Sequence, residues 1–408
     1  MTTRSLVEPG RRREWIGTSA LLVVSSLLSL CAMEFALRML FPVRPVSYRL
    51  DARVLHRLIP GSHREFAHSP GNGGERIPIS INAQGFRGAP LAPVKGTGRR
   101  IVVYGDSFIE AEGTKVEDTF TEQLKRLLGD GVEVMNAGVV GYGPDQVALR
   151  IEDEIGSLAP DLAIVSVYVG NDFGELARNK LFRLDAEGHL VENHPQIGQP
   201  LRKVFSGAQW ASARLASIRA LAAAADALRR GRTEPTSELL RRYIDESLAR
   251  QRKDYVDFVE GRNDVVDNLF LDTYDADVAL YPEEPGSLYK RAVMEKVLIR
   301  IDRTLAARHI PWLLMIIPDP IDVADHYDIS VDPSKYPTYD PTRLTSLLAE
   351  MAERNHLQFV NLRETLHEDP GERLFFRFGD AHWTASGQRK AAERLATIIA
   401  ERGLLPRN

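Results

Sequence analysis

Four short polar blocks stand where this chain could carry out chemistry. A serine hydroxyl is a weak nucleophile until a base removes its proton, and an imidazole oriented by a carboxylate does so near neutral pH. Ser107, His382 and Asp380 supply those three groups, and together they predict acyl transfer. The blocks are Gly105-Asp106-Ser107, the segment 136–143, Gly170-Asn171-Asp172 and Asp380-Ala381-His382.

The same blocks contain candidate donors for an oxyanion hole. The tetrahedral intermediate of acyl transfer needs such donors, and the loss of one typically costs about 2.7–4 kcal/mol of transition-state stabilisation. The candidates are the side-chain amide of Asn171 and the backbone N–H groups of Gly141 and Ser107. Glycine suits this position because its backbone, lacking a Cβ, can approach the substrate. Asp106 and Asp172 are interpreted as residues that hold the turns.

Hydrophobic patterning predicts the elements that position these blocks. Continuous apolar runs predict five strands buried on both faces, at 101–104, 132–135, 162–168, 312–317 and 357–360. Helical patterns lie near 117–129, 144–157, 287–308, 342–355 and 384–402. This alternation predicts a parallel sheet covered by helices on both faces. Three blocks then lie at carboxyl ends of strands, where ligands of such sheets bind.

Two regions depart from the alternation. Residues 41–100 are rich in Pro, Gly and Arg without a sustained period, and we expect a stalk and surface arm there. Residues 174–285 separate the third and fourth strands and predict an insertion, which we interpret as a helical cap because 203–260 has helical spacing. The apolar stripe of that insertion fits core packing, with a substrate groove as the alternative; it comprises Leu215, Ile218, Leu221 and Leu228.

The four blocks resemble those of the SGNH (GDSL-type) hydrolase superfamily, over residues of about 100–173 and 310–402. The resemblance implies a flavodoxin-like α/β/α sandwich for residues 101–402, interrupted by the insertion. It also implies Ser107 as nucleophile and His382 as base, with Gly141 and Asn171 in the oxyanion hole. No metal or organic cofactor is implied.

The last block departs from the commonest spacing of that superfamily. The acid usually stands three residues before the histidine, where this chain has Gly379, whereas Asp380 stands two before. This Asp-x-His spacing resembles proteins that O-acetylate alginate and other exopolysaccharides. A residue pair at i and i+2 can share one face of an extended segment, so a carboxylate–imidazole hydrogen bond is possible. The run from Ile81 to Gly88 also resembles a segment of membrane-anchored bacterial members.

Composition excludes several other classes of protein. The chain has 408 residues, 44% of them hydrophobic, a formal charge of −4 and one cysteine. A single cysteine excludes an intrachain disulfide and a zinc site built on several thiolates. The small net charge gives no reason to expect a nucleic-acid partner. A mean hydropathy of −0.22 excludes a polytopic membrane protein but allows one span.

The N-terminus predicts that one span. Residues 15–33 carry no charge and are long enough, at about 1.5 Å per residue, to cross about 30 Å of hydrocarbon. Arg11, Arg12 and Arg13 precede them, which favours residues 1–14 in the cytoplasm and a catalytic domain in the periplasm or outside the cell. We therefore expect a signal anchor in the inner membrane. A cleaved signal peptide and a buried soluble helix are the alternatives.

These observations predict a serine esterase that acts on an ester, with O-acetyl groups of envelope or extracellular carbohydrate as the expected substrate. A polysaccharide O-acyltransferase using the same residues is the first alternative, and a non-catalytic carbohydrate-binding or assembly protein is the second. A flavodoxin-like nucleotide site has little support, because the first strand-to-helix loop lacks a phosphate-binding glycine motif. The spacing of His56, His63 and His68 fits no tight metal-ligand pattern, so packing or exposed histidines are expected.

Overall fold

A computed structural model describes most of the chain. The described residues are 9–40, 48–90, 95–96, 98–203, 237–271, 273–325, 327–368, 371–377 and 379–405. The chain divides into two units: residues 1–45 with 206–233, and residues 46–205 with 234–408. In the first unit the structure describes one long helix. The second unit contains the sheet and every residue proposed for chemistry.

Helix α1 spans Pro9–Leu40. Its segment Thr18–Ala36 is long and apolar enough to cross a membrane, and its side chains are exposed rather than packed inside the protein. This segment overlaps the predicted span of 15–33. By length and composition it fits a membrane anchor or a signal sequence.

A five-stranded parallel sheet forms the centre of the second unit. Its strands are β5 (Arg99–Gly105), β6 (Val132–Gly138), β7 (Leu162–Tyr168), β12 (Trp312–Ile317) and β13 (Phe359–Asn361). These strands correspond to the five predicted apolar runs. Ile101, Val102, Val103 and Tyr104 are all completely buried, as expected for a strand covered on both faces.

The strand order determines where along the sheet a ligand crevice is expected. The sheet runs β13-β12-β7-β5-β6, which is the flavodoxin-like order 2-1-3-4-5. The chain moves outward from β5 to β6 and then returns to the other side of β5 to form β7. Connections therefore leave β5 and β7 in opposite directions, and the carboxyl ends of these two strands border a crevice. Ser107 and Asn171 follow these two strands.

Helices flank this sheet. The described helices that follow α1 are α2 (Ser107–Glu110), α3 (Phe120–Leu128), α4 (Pro144–Leu158), α5 (Asp172–Asn179), α6 (Gln199–Lys203), α7 (Ser237–Tyr255), α8 (Ala276–Leu280), α9 (Pro285–Ala306), α10 (Pro320–Val323), α11 (Arg343–Arg354) and α12 (Ala385–Glu401). Helices α3, α4, α9, α11 and α12 coincide with the five predicted helical patterns. The α/β sandwich predicted from the alternation is confirmed.

The arm of residues 48–90 is more ordered and more buried than a surface arm. It forms two antiparallel hairpins, β1 (Tyr48–Asp51) with β2 (Leu55–Leu58), and β3 (His63–Ala67) with β4 (Arg76–Ser80). Val54, Leu55 and Ile79 are buried in the same core as the sheet. The strands have four or five residues each, too few to give a sustained period, although Ile77, Ile79 and Ile81 alternate as β4 requires.

The insertion is not purely helical, which corrects the prediction of a helical cap. Beside α6 and α7 it contains a hairpin of β8 (Phe182–Leu184) and β9 (Leu190–Glu192), and β10 (Gln196–Ile197) pairs with β11 (Val265–Val266). These strands have two or three residues, which is below the length at which alternation becomes visible. The stripe from Leu215 to Leu228 lies outside the described residues.

Candidate active site

Ser107 lies at a sharp turn between β5 and α2. Asp106 caps the helix, its Oδ1 accepting a hydrogen bond from the Phe108 N–H at 2.9 Å. Gly105 is required here, because a Cβ would lie 2.0 Å from the Ser166 Oγ of neighbouring β7. The turn therefore presents Ser107 at the carboxyl end of the sheet. Asp106 holds the turn, as predicted.

His382 and Asp380 extend from Ser107 as a continuous hydrogen-bonded chain. The distance from the Ser107 Oγ to the His382 Nε2 is 2.7 Å, and from the His382 Nδ1 to the Asp380 Oδ1 it is 2.8 Å. The same Asp380 oxygen accepts the backbone N–H of His382 at 3.1 Å. The two-residue spacing thus allows one carboxylate to hold both the ring and the backbone of the histidine.

The electrostatics of Asp380 suit a hydrogen-bond acceptor that stays ionised. Burial acts to raise its pKa, but the hydrogen bonds from His382 and the charge of the imidazole outweigh burial and lower the pKa below its usual value. The His382 side chain is 33% exposed, so a substrate can approach it. The pair can therefore orient the ring with Nε2 toward Ser107.

Gly141 and Asn171 lie on the same cavity as Ser107. Gly141 has a φ of 73°, and a Cβ there would come 2.3 Å from the backbone oxygen of Leu269, so only glycine fits without rearrangement. Asn171 is buried and immediately precedes α5. Gly170 before it approaches Asp319, whose Oδ2 would lie 2.2 Å from a Cβ. The structure brings together all three predicted sources of oxyanion donors.

Asp172 holds the turn that carries Asn171. Its Oδ2 accepts the backbone N–H of Tyr168 at 2.7 Å. Burial raises the pKa of Asp172 well above its usual value, and the charges of Asp106 and Glu175 raise it further. Asp172 thus has the structural role that the sequence predicted for it.

The cavity at the candidate site has a volume of about 170 Å³. The arm contributes Phe66 to its wall, and the insertion contributes Phe270 and Leu271. Two further carboxylates face it, Glu112 and Glu175. The sequence did not single out any of these five residues, because their approach depends on tertiary contacts.

Glu110 joins α2, which begins at Ser107, to the loop that carries Gly141. It is completely buried at the end of α2, and its Oε2 accepts the backbone N–H of Val140 at 2.8 Å, one residue before Gly141. Two groups from the arm also bind it: Arg64 donates at 2.6 Å and the Tyr48 hydroxyl at 3.1 Å. Glu110 therefore fixes the position of the Gly141 loop relative to Ser107.

Arg87 holds the same C-terminal end of α2 from the backbone side. It is buried and donates hydrogen bonds to the backbone oxygens of Glu110, Ala111 and Thr114, the last at 2.6 Å. Ala111 has a φ of 55°, a left-handed conformation that costs a residue with a Cβ roughly 1–2 kcal/mol. Arg87 belongs to the run 81–88 that the sequence singled out, and the structure gives that run a role in holding α2.

The three histidines of the arm and Trp383, the residue after His382, have packing or surface positions. His56 is completely buried and contacts the Val140 backbone oxygen at 2.8 Å, and burial lowers its pKa to about 4. His68 contacts the Gly113 backbone oxygen at 2.7 Å, and His63 contacts Ser80. Trp383 is completely buried, with its ring edge-on to Phe108, and belongs to the core rather than to the cavity wall.

Within the described parts of the chain, one group of acidic and histidine side chains is close enough together to hold a metal ion. It consists of Asp185, Glu187 and His189 on the exposed turn between β8 and β9. None of these three residues lines the cavity at Ser107.

Comparisons with known proteins give one family match and several solved structures. Residues 269–407 match the family described as "SGNH hydrolase-like domain, acetyltransferase AlgX". The matched region is about a third of the chain and includes Asp380 and His382. No curated protein matches the chain.

Three solved structures are similar at low identity. A GDSL-like lipase from Bacteroides thetaiotaomicron is 13% identical and covers 76% of this chain and 93% of its own, with a TM-score of 0.35. A lipase/acylhydrolase from Enterococcus faecalis is 13% identical, and the match covers 74% of this chain and 96% of the lipase, with a TM-score of 0.34. The carbohydrate acetylesterase Est24 from Sinorhizobium meliloti is 11% identical, and the match covers 74% of this chain and 99% of Est24, with a TM-score of 0.29.

The matched region contains the Asp-x-His block together with the strands β12 and β13. It covers the block that departs from the commonest superfamily spacing. Over residues 269–407, the resemblance inferred from the four blocks is confirmed by the match to an SGNH hydrolase-like domain.

Proposed function

We propose that this chain is a serine-dependent acyl hydrolase that removes an O-acetyl group from carbohydrate through an acyl-enzyme on Ser107. The observation that carries the proposal is the chain of two hydrogen bonds, 2.7 and 2.8 Å long, from Ser107 through His382 to Asp380. The SGNH hydrolase-like domain supports the reaction class. The proposal requires neither a metal nor an organic cofactor.

In the first half-reaction the Ser107 oxygen attacks the ester carbonyl carbon while His382 Nε2 takes the hydroxyl proton. The carbonyl electron pair moves to the oxygen, which accepts hydrogen bonds from Asn171 and from the N–H groups of Gly141 and Ser107. The intermediate then collapses, and the bond to the sugar oxygen breaks. His382 returns its proton to that oxygen, which leaves as an alcohol, and Asp380 stabilises the imidazolium throughout.

In the second half-reaction water replaces the alcohol. His382 takes a proton from water, and the resulting hydroxide attacks the acyl carbon. Collapse breaks the bond to the Ser107 oxygen, His382 returns its proton to that oxygen, and acetic acid leaves. A cavity of about 170 Å³ is small for a binding pocket, which favours a short acyl group. Acetyl is therefore the proposed acyl group.

Turnover of p-nitrophenyl acetate by the full chain in detergent tests this proposal. We expect hydrolysis by the native chain and a rate at least about 10³-fold lower for Ser107→Ala, because the covalent route is lost. Ser346→Ala, on α11 away from the cavity, is the matched control. Equal rates for Ser107→Ala and the native chain would contradict the mechanism.

A transferase is the second candidate function, and the match to the AlgX acetyltransferase family favours it. The same acyl-enzyme would form, but a sugar hydroxyl would replace water in the second step. Mass analysis after addition of an oligosaccharide separates the two: an acetylated acceptor indicates transfer, and release of acetate alone indicates hydrolysis.

We further propose that α1 anchors the chain in the inner membrane through residues 15–33, with the catalytic domain in the periplasm. The exposed apolar segment Thr18–Ala36 supports an anchor, and the arginines before it support this orientation. Protease added outside intact spheroplasts should degrade the catalytic domain. Protection of that domain would contradict the orientation.

A further inference from the structure

The wall of the cavity at Ser107 has an unbalanced charge. Among its described lining residues are three carboxylates, Glu112, Glu175 and Asp380, and no lysine or arginine. Asp380 is occupied by His382. The other two carboxylates have no part in the proposed chemistry, so their placement beside the nucleophile calls for another explanation.

The nearest cations do not cancel this charge. Arg64 contacts Glu112, but it also contacts Glu110 at 2.6 Å, so one guanidinium serves two carboxylates. Arg178 lies 3.5 Å from Glu175 and also donates to Thr273, and it does not line the cavity. Among the described residues, the cavity wall therefore has more carboxylates than cations, and the partly buried position of these carboxylates limits the screening of their charge by salt.

Aromatic rings form the other part of the wall. Phe270 is 42% exposed, yet its ring is held by His56 at 5.0 Å and by Tyr48 at 5.6 Å between centroids. Phe66 also lines the cavity, and it contacts His68 edge-on. A fixed, partly exposed ring beside carboxylates suits a pyranose, whose C–H face is apolar and whose hydroxyls donate hydrogen bonds.

We propose that this cavity selects acetylated pyranosides that carry no negative charge, and that Glu112 and Glu175 disfavour uronic acids. The carboxylates accept hydrogen bonds from sugar hydroxyls, whereas a sugar carboxylate would be repelled and would lose its water without gaining a cation. This inference rests on the proposed acyl-transfer function, but it names a substrate class that the Ser107 chemistry alone does not determine.

Two substrates that carry the same acetyl ester and differ only at C6, with a CH2OH group in one and a carboxylate in the other, test the selectivity. They are the acetylated methyl glucopyranoside and the acetylated methyl glucopyranosiduronate, assayed by acetate release with the full chain in detergent. We expect kcat/KM to be about tenfold higher for the neutral sugar at low salt, and the ratio to narrow as NaCl rises to about 0.5 M. Equal values, a preference for the uronate, or no turnover of either sugar would overturn the inference.

The variant Glu112→Gln tests whether the selectivity arises from the cavity wall. It leaves Arg64 with one carboxylate fewer, so we expect the preference for the neutral sugar to fall at least about threefold. The matched control is Glu187→Gln, which removes an exposed carboxylate from the turn between β8 and β9. An equal change in both variants, or no change in Glu112→Gln, would overturn the role of this carboxylate.

Turnover of p-nitrophenyl acetate in the same preparations separates failure of this inference from failure of the proposed function. Hydrolysis of that ester with no preference between the sugars overturns the charge selectivity alone. Absence of hydrolysis of all three esters by folded protein overturns both. A melting temperature within about 2 °C of the native chain shows that a variant is folded.

Discussion

The edge of the central sheet and the arm contribute to the same site in different ways. The carboxyl edge of the sheet carries two residues of the proposed mechanism: Ser107, the proposed nucleophile, follows β5, and Asn171, a proposed oxyanion donor, follows β7. The arm contributes Arg64 and Arg87, which contact Glu110 at the end of α2. On the proposed mechanism, the first region supplies groups that take part in the reaction, and the second holds the helix that carries Ser107.

The two regions also differ in the range of their interactions. Gly105 and Asp106 place Ser107 through contacts within the turn and with the next strand. Arg87 acts through carbonyls 23 to 27 residues further along the chain. We therefore expect substitutions at the sheet edge to remove activity, and substitutions in the arm to reduce it in a graded manner.

The largest effect is expected for His382→Ala. Among the described residues, His382 is the base at hydrogen-bond distance from Ser107, so loss of its imidazole should lower kcat by about 10³–10⁴-fold. Steady-state hydrolysis of p-nitrophenyl acetate measures this. The control His63→Ala removes an exposed histidine of the arm and should leave the rate unchanged, and undiminished activity in His382→Ala would exclude the proposed base.

A smaller loss is expected for Asn171→Ala, which removes one oxyanion donor while the nucleophile remains. We expect kcat to fall about 10²–10³-fold with little change in KM, because this hydrogen bond strengthens in the transition state. Asn355→Ala, at the end of α11, serves as the control. A rise in KM at constant kcat would instead assign Asn171 to substrate binding.

A graded effect is expected in the arm for Arg87→Met. Three backbone oxygens lose their donor, and each unsatisfied buried group costs about 1–3 kcal/mol. We expect a lower melting temperature and a kcat reduced about tenfold at a temperature where the variant is folded. Arg76→Met, an exposed arginine of the same arm, should change neither. A loss as large as that of Asn171→Ala would remove the distinction between the two regions.

The smallest effect concerns stability and pH. Burial raises the pKa of Asp145, in the first turn of α4, from 3.8 to about 7. Between about pH 4 and 7 the folded chain keeps a proton that the unfolded chain has released, so the free energy of unfolding should fall as pH rises through this window. Asp145→Asn removes this titration and should be more stable than the native chain at pH 8, by on the order of 1–3 kcal/mol.

Thermal unfolding of both proteins at pH 5 and pH 8 checks this sign. The difference in the free energy of unfolding between the variant and the native chain should be small at pH 5, where the Asp145 carboxyl is protonated in the folded chain. The contribution of Asp380 to the free energy of unfolding has the opposite pH dependence, because folding lowers the pKa of its carboxyl. This contribution is present above the pKa of the unfolded chain and is lost as the pH falls through the pKa of the folded chain. A variant Asp145→Asn that is less stable than the native chain at pH 8 would contradict the assignment.

The same contrast explains how far the sequence could predict the structure. The sheet was predictable because β5, β7 and β12 are continuous apolar runs buried on both faces. Ser107, Asn171 and His382 were predictable because each lies next to a turn or helix start with its own signature. These residues depend mostly on their neighbours in the sequence.

The arm and the cavity wall were not predictable in this way. The strand β4 reads Arg-Ile-Pro-Ile-Ser, which is short, contains a proline and is apolar at only two alternate positions. Phe270 reaches the site because Leu269 packs against Gly141, about 130 residues earlier in the chain. In the sequence, Glu110 has no pattern that marks it, because its contacts with Val140 and Arg64 form only in the folded chain. Contacts at such separations leave no local pattern.

Intact-mass analysis of the full chain after treatment with a fluorophosphonate probe tests the central claim most directly. The account predicts one adduct per chain, formed on Ser107 and absent from both Ser107→Ala and the denatured native chain. An adduct that persists in Ser107→Ala, or no adduct on folded native protein, would contradict the claim that Ser107 is an activated nucleophile.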